Sequence, residues 1–222
     1  MTQIDNGTIK YKDELFRKLI HLTSLSIPIV YYFISKGTAA LILAILAGSA
    51  LIIDLARYLH PEIGKIFYRI FGFLLRPHEL DHKKKNLNGA TYVLISALIS
   101  VLIFPKVIFI SAFSILIIGD SLAALIGRKF GKRKFLFKSF EGTLTFFISA
   151  CIVILFTPKI GGFKEEYLIG FIGAFVGAIV ENISFRLIDD NLSIPLSVGF
   201  TMWGLYLAML PNLELILSNV PR

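Results

Sequence analysis

The sequence predicts an all-α fold, that of a polytopic membrane protein with about seven transmembrane helices plus an interfacial amphipathic helix. The 222 residues are 55% hydrophobic, an apolar share well above that of soluble domains. Several apolar segments approach the roughly 20 residues that a helix needs to cross the hydrocarbon layer. Helices are favoured because backbone polar groups in lipid must find their hydrogen bonds within the chain.

The predicted transmembrane helices follow one another with short polar connections. Their approximate bounds are 15–35, 38–57, 88–104, 107–127, 143–157, 167–186 and 194–210. Between the second and third, apolar residues recur at helical spacing over 61–77, while Lys65 and Arg69 interrupt any full span. That pattern is typical of an amphipathic helix in the membrane interface. We expect a single integral membrane domain, 1–222.

The distribution of Lys and Arg predicts the orientation in a cell membrane. Eighteen fall before residue 19, in the connections 57–87 and 128–138, and just after the sixth helix, and five fall on the other side. Since cytoplasmic loops carry the excess of Lys and Arg, we expect the amino terminus inside and the carboxyl terminus outside. The polar first 14 residues do not resemble a cleaved signal.

Charge and cysteine content narrow the function classes. The net charge of +8 indicates anionic lipid or phosphate partners rather than nucleic acid. Cys151 is the single cysteine, which excludes an internal disulfide framework and a Cys-type zinc site. The oligomeric state stays open, a homo-oligomer included.

Polar residues gather at the predicted cytoplasmic ends of the helices. In the first helix, Glu14–Lys18 and Arg17–His21 are four residues apart and share a helix face. Local pairing and snorkelling at a helix start are the alternative explanation for Arg17 and Lys18. His21 lies deeper, where a neutral imidazole seldom stands without a partner.

Three further polar features have a local structural explanation or only a weak functional signal. Asp54 and Arg57, three residues apart, predict a local ion pair. In the loop after Arg76, two histidines and two acids give a weak zinc signal, since no helix or cysteine pair fixes their geometry. Asn88 could simply cap the third helix.

Asp120 is costly within an apolar helix unless it is paired or binds a cation. Small residues follow it, and then six cations, Arg128, Lys129, Lys132, Arg133, Lys134 and Lys138, before a second acid, Glu141. A structural salt bridge could explain Asp120 alone. A triphosphate with Mg²⁺ would explain both the acids and the cations.

A third acidic group lies on the same predicted side. Glu181 and Asn182 lie in the sixth helix, and Asp189 and Asp190 follow it in DDNLSIP. A turn and helix cap would explain Asp189 and Asp190, but not Glu181, which lies about two turns deep. Carboxylates from two helices facing one basic loop predict a metal–nucleotide site.

These motifs together resemble the CTP-dependent lipid kinase family, which includes dolichol and polyprenol kinases, phytol kinases and CTP-dependent diacylglycerol kinases. The resemblance covers residues 14–200, with the catalytic segments at about 14–21, 76–91, 119–143 and 181–195. It rests on RKLIH, NGATY, GDSLAALIGRKFGK, KSFEGT and the acid before DDNLSIP. The middle segment also resembles phosphatidate cytidylyltransferases, but their carboxyl-terminal HGG-type signature is missing.

The resemblance implies transfer of phosphate from CTP to a lipid hydroxyl. Asp120 with Asp189 or Asp190 would hold Mg²⁺, and His21 or Asp190 would be the general base. The residues implied around the nucleotide are Arg17, Lys18, Asn88, Arg128, Lys129, Lys132, Lys138, Ser139 and Glu141. Glu181 and Asn182 would shape the inner end of the site.

Two other functions remain open on the residues alone. A cytidylyltransferase would make a CDP-lipid from a phospholipid acid and release pyrophosphate. A transporter would also use carboxylates within the membrane, although no inverted repeat is visible. The acceptor lipid stays open too, since a polyprenol, a phytol-like alcohol and diacylglycerol all present a hydroxyl and hydrocarbon.

Overall fold

The computed structural model describes residues 10–75, 86–184, 189–218 and 220–222, and these are mostly helical. Its α-helices are α1 (Tyr11–Thr23), α2 (Ser26–Phe33), α3 (Lys36–Leu59), α4 (Pro61–Phe71), α5 (Gly89–Ile103), α6 (Lys106–Phe130), α7 (Phe140–Phe156), α8 (Lys164–Ser184) and α9 (Asp190–Met209). A 3₁₀ turn, Gly72–Leu74, follows α4. Strands β1 (Lys134–Phe135) and β2 (Lys138–Ser139) form an antiparallel hairpin before α7.

Four helices, α3, α6, α8 and α9, are long and apolar enough to cross a membrane, and α5 and α7 are shorter apolar helices. The chain is therefore a multi-pass membrane protein. The number of seven spans stays a prediction, because α5 and α7 have only 15 and 17 residues. The predicted end of the sixth helix, with Arg186, lies outside the described residues.

The first predicted span, 15–35, is broken into α1 and α2. The amides of Ser24 and Leu25 bond to carbonyls three residues back, at 3.0 Å each, instead of four. Pro28 explains the break, because its ring has no N–H and clashes with the carbonyl four residues earlier. Proline is tolerated in the first turn of α2, where an amide has no helical acceptor.

The predicted amphipathic helix is present as α4, which is shorter than 61–77, and its position in the membrane interface stays a prediction. Pro61 occupies its first turn, where the missing amide costs nothing. Ile63, Ile66 and Ile70 are exposed along one side, as in a helix lying against lipid. Residues 76 and 77 lie outside the described residues.

The mostly helical fold agrees with the all-α prediction, and the short hairpin is an addition to it. Lys134 pairs with Ser139 and Phe135 with Lys138, which leaves a two-residue turn. Strands of two residues are too short for an alternating pattern. A correction concerns the last helix, which begins at Asp190 rather than at the predicted 194, so Pro195 lies further inside it.

Helix α6 forms the centre of the bundle, and α1, α2, α7, α8 and α9 pack on it. Its segment 107–117 is buried throughout, so its side chains pack against protein instead of lipid. Residues of α5 and α9 complete the core around Phe104, which is fully buried. This arrangement places Asp120, in the same helix, among protein groups.

At one end of the bundle, lysines donate hydrogen bonds to the last backbone carbonyls of helices. This end is opposite the one where α1 begins, α6 ends and α7 begins. Lys106 Nζ donates to Ile34 O at 2.7 Å, and Lys36 Nζ to Phe104 O at 3.4 Å. Lys159 Nζ donates to the carbonyls of Ile154 and Thr157 at 2.6 and 2.7 Å. The last carbonyls of a helix have no intrahelical donor, so these cations stabilise the ends of α2, α5 and α7.

Replacing Gly199 with Ala should destabilise the bundle. An added Cβ would lie 2.5 Å from two ring carbons of the buried Phe104, which has no room to move. Overpacking of this kind costs about 1–3 kcal/mol. The control is Gly48→Ala in α3, where nothing lies within 4 Å of the new Cβ, and alanine should be neutral or stabilising by up to about 1 kcal/mol. Thermal unfolding in detergent measures both, and equal midpoints for the two variants would contradict the packing.

Candidate active site

Charged side chains from five elements meet inside one end of the bundle. We call this cluster the polar site and define it by Lys18, His21, Asp120, Lys138, Glu181 and Asp190. Helices α1, α6, α8 and α9 and the hairpin supply its members. The short connections fold α6, α8 and α9 back and forth, so residues far apart in sequence lie at the same depth.

Asp120 is buried and forms an ion pair with Lys18, which is also buried. His21 Nε2 lies 3.6 Å from the same carboxylate oxygen and has no hydrogen-bond partner among the described residues. Snorkelling, the alternative for Lys18, is therefore wrong, because its ammonium points into the bundle. The salt bridge predicted as one explanation for Asp120 is therefore present, with Lys18 as its cation.

The buried Glu181 forms the second ion pair, with the half-buried Lys138. Its other oxygen, Oε2, is buried and has no hydrogen-bond partner within the described part of the chain. Burial acts to lower the pKa of Lys138, but the carboxylates of Glu181, Asp190 and Asp120 outweigh it and raise this pKa. Lys138 therefore stays charged at neutral pH.

Asn182 fixes the hairpin to α8. Its side-chain oxygen accepts hydrogen bonds from the backbone amides of Phe137 at 2.8 Å and Lys138 at 3.2 Å. Its side-chain nitrogen donates to Thr143 Oγ1 at 2.6 Å. Asn182 is fully buried, so these hydrogen bonds fix the position of the Lys138 backbone, from which its side chain extends.

Glu141 and Ser139 hold the base of the hairpin. The Glu141 carboxylate accepts from the backbone amide of Lys132 at 3.0 Å and from that of Arg133 at 3.3 Å. These hydrogen bonds, of which the one from the Lys132 amide has the largest effect, keep the pKa of Glu141 below its usual value. Ser139 caps α7 by accepting from the Gly142 amide at 3.2 Å.

Glycines let α6 and α7 approach closely beside this base. A Cβ on Gly142 would lie 3.2 Å from Ala123 O and 3.3 Å from the Cα of Gly127. Ala123 and Gly127, two of the small residues after Asp120, thus allow this close packing of helices.

Arg17 and Arg128 lie at the mouth of the polar site. Arg17 donates to both oxygens of Glu14, at 2.6 and 3.3 Å, and Arg128 Nη1 lies 3.9 Å from Glu14. The expected partner of Glu14 was Lys18, four residues on, but Arg17, three residues on, takes that place. One carboxylate therefore holds two guanidinium groups together.

The two acids before α9 differ in their surroundings. Asp189 caps α9: its Oδ1 accepts from the backbone amide of Asn191 at 3.0 Å and from that residue's side chain at 2.8 Å. Asp190 lies close enough to Lys18, His21, Lys138 and Glu181 to act on their charges. No group of three or more His, Cys, Asp or Glu in metal-ligand geometry occurs among the described residues.

The remaining predicted residues are exposed, cap a helix or lie outside the described residues. Lys129 and Lys132 are exposed. Asn88 caps α5 through Thr91 N at 3.0 Å. The zinc hypothesis concerned His78, Glu79, Asp81 and His82, which lie within 76–85 and therefore outside the described residues.

The predicted Asp54–Arg57 ion pair is confirmed, with Arg57 Nε 2.7 Å from Asp54. Both residues are buried, and Asp54 accepts from the Asn88 amide at 2.7 Å. Arg57 also donates to Asn86 O at 2.9 Å and faces the Phe67 ring at 4.9 Å. The pair therefore joins α3, the amphipathic helix α4 and the start of α5.

The start of α5 lies beside the polar site. A Cβ on Gly89 would lie 3.9 Å from both Arg17 Nη1 and Asn191 Nδ2. Sequence reasoning missed Thr143 and Asn191 as partners in the site. Their only signal was their place in KSFEGT and DDNLSIP.

A membrane-facing groove of about 490 Å³ lies between α2, α6 and α7. Its floor on α6 is a stripe at four-residue spacing, Ile110, Ser114, Ile118 and Leu122. Residues two apart on a helix point about 200° apart, so Asp120 faces away from Ile118 and Leu122. The groove therefore does not lead to the polar site.

Comparison with known proteins places the chain in a family. It is 34% identical over 182 residues to an uncharacterised protein of Rickettsia prowazekii, which is 82% of this chain and 89% of that protein. It is 30% identical over 155 residues to CTP-dependent diacylglycerol kinase 1 of Schizosaccharomyces pombe, 64% of this chain and 69% of that kinase. The chain belongs to the CTP-dependent lipid kinase family.

This CTP-dependent lipid kinase family member is also 26% identical over 206 residues to the phytol kinase of a Synechocystis species, which is 87% of this chain and 81% of that enzyme. No family model and no solved structure matches. The similarity to these named kinases confirms the resemblance found in the sequence motifs.

Removing Lys138 alone should destabilise this lipid kinase family member more than removing the whole pair. Lys138→Met leaves Glu181 buried without its cation, and such losses cost about 3–5 kcal/mol. We expect the lower end, since the Lys138 side chain is 22% exposed. Adding Glu181→Leu should restore most of the thermal unfolding midpoint in detergent. Additive losses in the double variant would rule out a coupled pair.

Proposed function

We propose that this protein transfers the γ-phosphate of CTP to the hydroxyl group of a membrane lipid alcohol, with Mg²⁺ as cofactor, at the cytoplasmic face. The observation that carries this proposal is the meeting of two buried carboxylates, each paired with a lysine, inside a membrane helix bundle: Asp120 with Lys18 and Glu181 with Lys138. Charges there are expensive, and fixed charges of both signs are what phosphoryl transfer needs.

The cations suit a triphosphate. Lys18 and Lys138 point into the polar site, and Arg17 and Arg128 are held beside it by Glu14. Neutralisation and alignment do most of the catalytic work in phosphoryl transfer. We assign Lys138 and Lys18 to the phosphates nearest the reaction, and Arg17 and Arg128 to the outer part of the nucleotide.

The carboxylates suit Mg²⁺. This ion usually binds one or two carboxylates together with phosphate oxygens and waters, so Asp120 and Asp190 suffice as protein ligands. The buried Glu181 Oε2, without a hydrogen-bond partner among the described residues, is a further oxygen for the ion or its waters. When bound, the ion would neutralise charge that develops on the phosphate oxygens. We assign Asp189 to the cap of α9 instead, because its Oδ1 accepts two hydrogen bonds from Asn191.

The proposed transfer step forms one bond and breaks one. The lipid hydroxyl oxygen bonds to the γ-phosphorus, the bond from that phosphorus to the β–γ bridging oxygen breaks, and CDP leaves. The hydroxyl proton passes to His21 Nε2, which we favour over Asp190 because this nitrogen makes no hydrogen bond among the described residues. His21 then releases the proton to water.

The acceptor belongs to the class of membrane alcohols. Relatives are named for diacylglycerol and phytol, which share a hydroxyl group on a hydrocarbon body. Asp120 and Glu181 lie in helices α6 and α8, which are long and apolar enough to cross a membrane, so we expect the hydroxyl to reach the polar site from the membrane.

Phosphate labelling tests the reaction. Purified protein with Mg²⁺, CTP and a panel of lipid alcohols should move label from the γ-phosphate into lipid and leave CDP. Label entering lipid from the α-phosphate, with pyrophosphate released, would instead establish a cytidylyltransferase. Transport of an ion or lipid without CTP turnover would refute both enzyme assignments.

His21→Ala should lower kcat about 10²–10⁴-fold, the usual contribution of a general acid or base, while the KM for CTP changes little. His60→Ala is the matched control, because His60 is exposed between α3 and α4 and should leave kcat unchanged. Initial rates with labelled CTP measure both variants. Full activity of His21→Ala would transfer the role to Asp190.

A further inference from the structure

The turn of the hairpin contains an unusual backbone conformation. Leu136 has φ +49°, and it is the only non-glycine residue with positive φ in the described part of the chain. Two-residue hairpins favour glycine or asparagine at such positions, and a leucine there is strained. Strain at an exposed turn raises the question of what the leucine side chain contacts.

An apolar surface runs from this turn into the membrane. Leu136 is 49% exposed, and Phe140, Leu144 and Ile148 form an exposed stripe at four-residue spacing on α7. Phe135 packs edge-on against Phe140, with ring centroids 6.1 Å apart. The lipid-facing side of α7 therefore continues past the helix end onto the hairpin.

Cations flank this apolar surface. Lys132, Arg133 and Lys134 are all exposed at the base of the hairpin. Apolar side chains beside Lys and Arg are typical of segments that insert into the boundary between headgroups and acyl chains, and the cations attract anionic lipids.

The hairpin is held firmly enough to act as a unit. Asn182 binds the amides of Phe137 and Lys138, and Glu141 binds those of Lys132 and Arg133. A force on the turn is thus passed to the strand that carries Lys138. This coupling gives the exposed turn a consequence for the polar site.

We propose that the turn of this hairpin, with Leu136 at its tip, is a membrane anchor that inserts at the headgroup–acyl boundary of an anionic leaflet and fixes the depth of Lys138. The strained leucine is retained because its side chain is buried in lipid. The insertion of the turn into the membrane does not depend on which reaction the polar site carries out.

Tryptophan fluorescence in vesicles tests the anchor. The chain has one tryptophan, Trp203, so Trp203→Phe supplies a silent background for Leu136→Trp. In phosphatidylcholine vesicles containing phosphatidylglycerol, the emission of the Leu136→Trp variant should shift to shorter wavelength and be lost with lipids brominated high on the acyl chain. Lys134→Trp, two residues away, is the control on the basic side and should respond severalfold less.

Charge dependence gives the second arm. Changing Lys132, Arg133 and Lys134 together to Gln should remove the extra quenching of Leu136→Trp that phosphatidylglycerol produces over pure phosphatidylcholine. Water-like emission of Leu136→Trp, quenched by iodide and unaffected by brominated lipid, would overturn the anchor. Quenching that is equal in both vesicles would overturn its preference for anionic lipid.

A label of different chemistry guards against an artefact of the introduced indole. Leu136→Cys with a spin label, in a Cys151→Ala background, should be accessible to oxygen rather than to a water-soluble nickel complex. The opposite accessibility would place the turn in water. Leu136→Gly should leave the unfolding midpoint in detergent unchanged or higher, because glycine adopts this φ without strain, and a lower midpoint would mean that Leu136 packs within the protein.

Discussion

A charge inside a membrane helix bundle must find an opposite charge, and the polar site depends on this requirement. Asp120 in α6 meets Lys18 from α1, and Glu181 in α8 meets Lys138 from the hairpin. Each pair joins elements that are distant in sequence, so the electrostatic requirement also fixes the arrangement of helices. The glycine contacts between α6 and α7 bring the hairpin close enough to complete the second pair.

The two ends of the bundle use their cations differently. At the far end, Lys36, Lys106 and Lys159 donate to backbone carbonyls at helix ends. There, Glu166 likewise accepts three backbone amides at 2.8–3.1 Å, so its charge stabilises a connection. At the polar site, by contrast, charged side chains face other charged side chains, an arrangement that a charged ligand can rearrange.

Hydropathy was sufficient to predict the long helices and to identify Asp120 and Glu181 as costly residues. The Asp54–Arg57 pair followed from spacing alone. The partners did not follow, because pairs such as Lys18–Asp120 join residues 102 apart, and periodicity reports only local neighbours. The hairpin was missed because its turn has no glycine or asparagine, and its position depends on Asn182, which lies 44 and 45 residues away from the amides it binds. The break after α1 did have a signal, Pro28, which the hydrophobic run concealed.

Under the proposed function, the same pairing rule governs ligand entry. Phosphate oxygens would compete with Asp120 and Glu181 for Lys18 and Lys138, and Mg²⁺ would compete with those lysines for the carboxylates. Either ligand alone would leave a buried charge without its partner, which is costly in a site of low dielectric. With both ligands bound, the lysines would pair with phosphate and the carboxylates would hold the metal, so every charge would keep a partner. A site whose charges are already paired with each other would thus bind the metal–nucleotide complex in preference to either component alone.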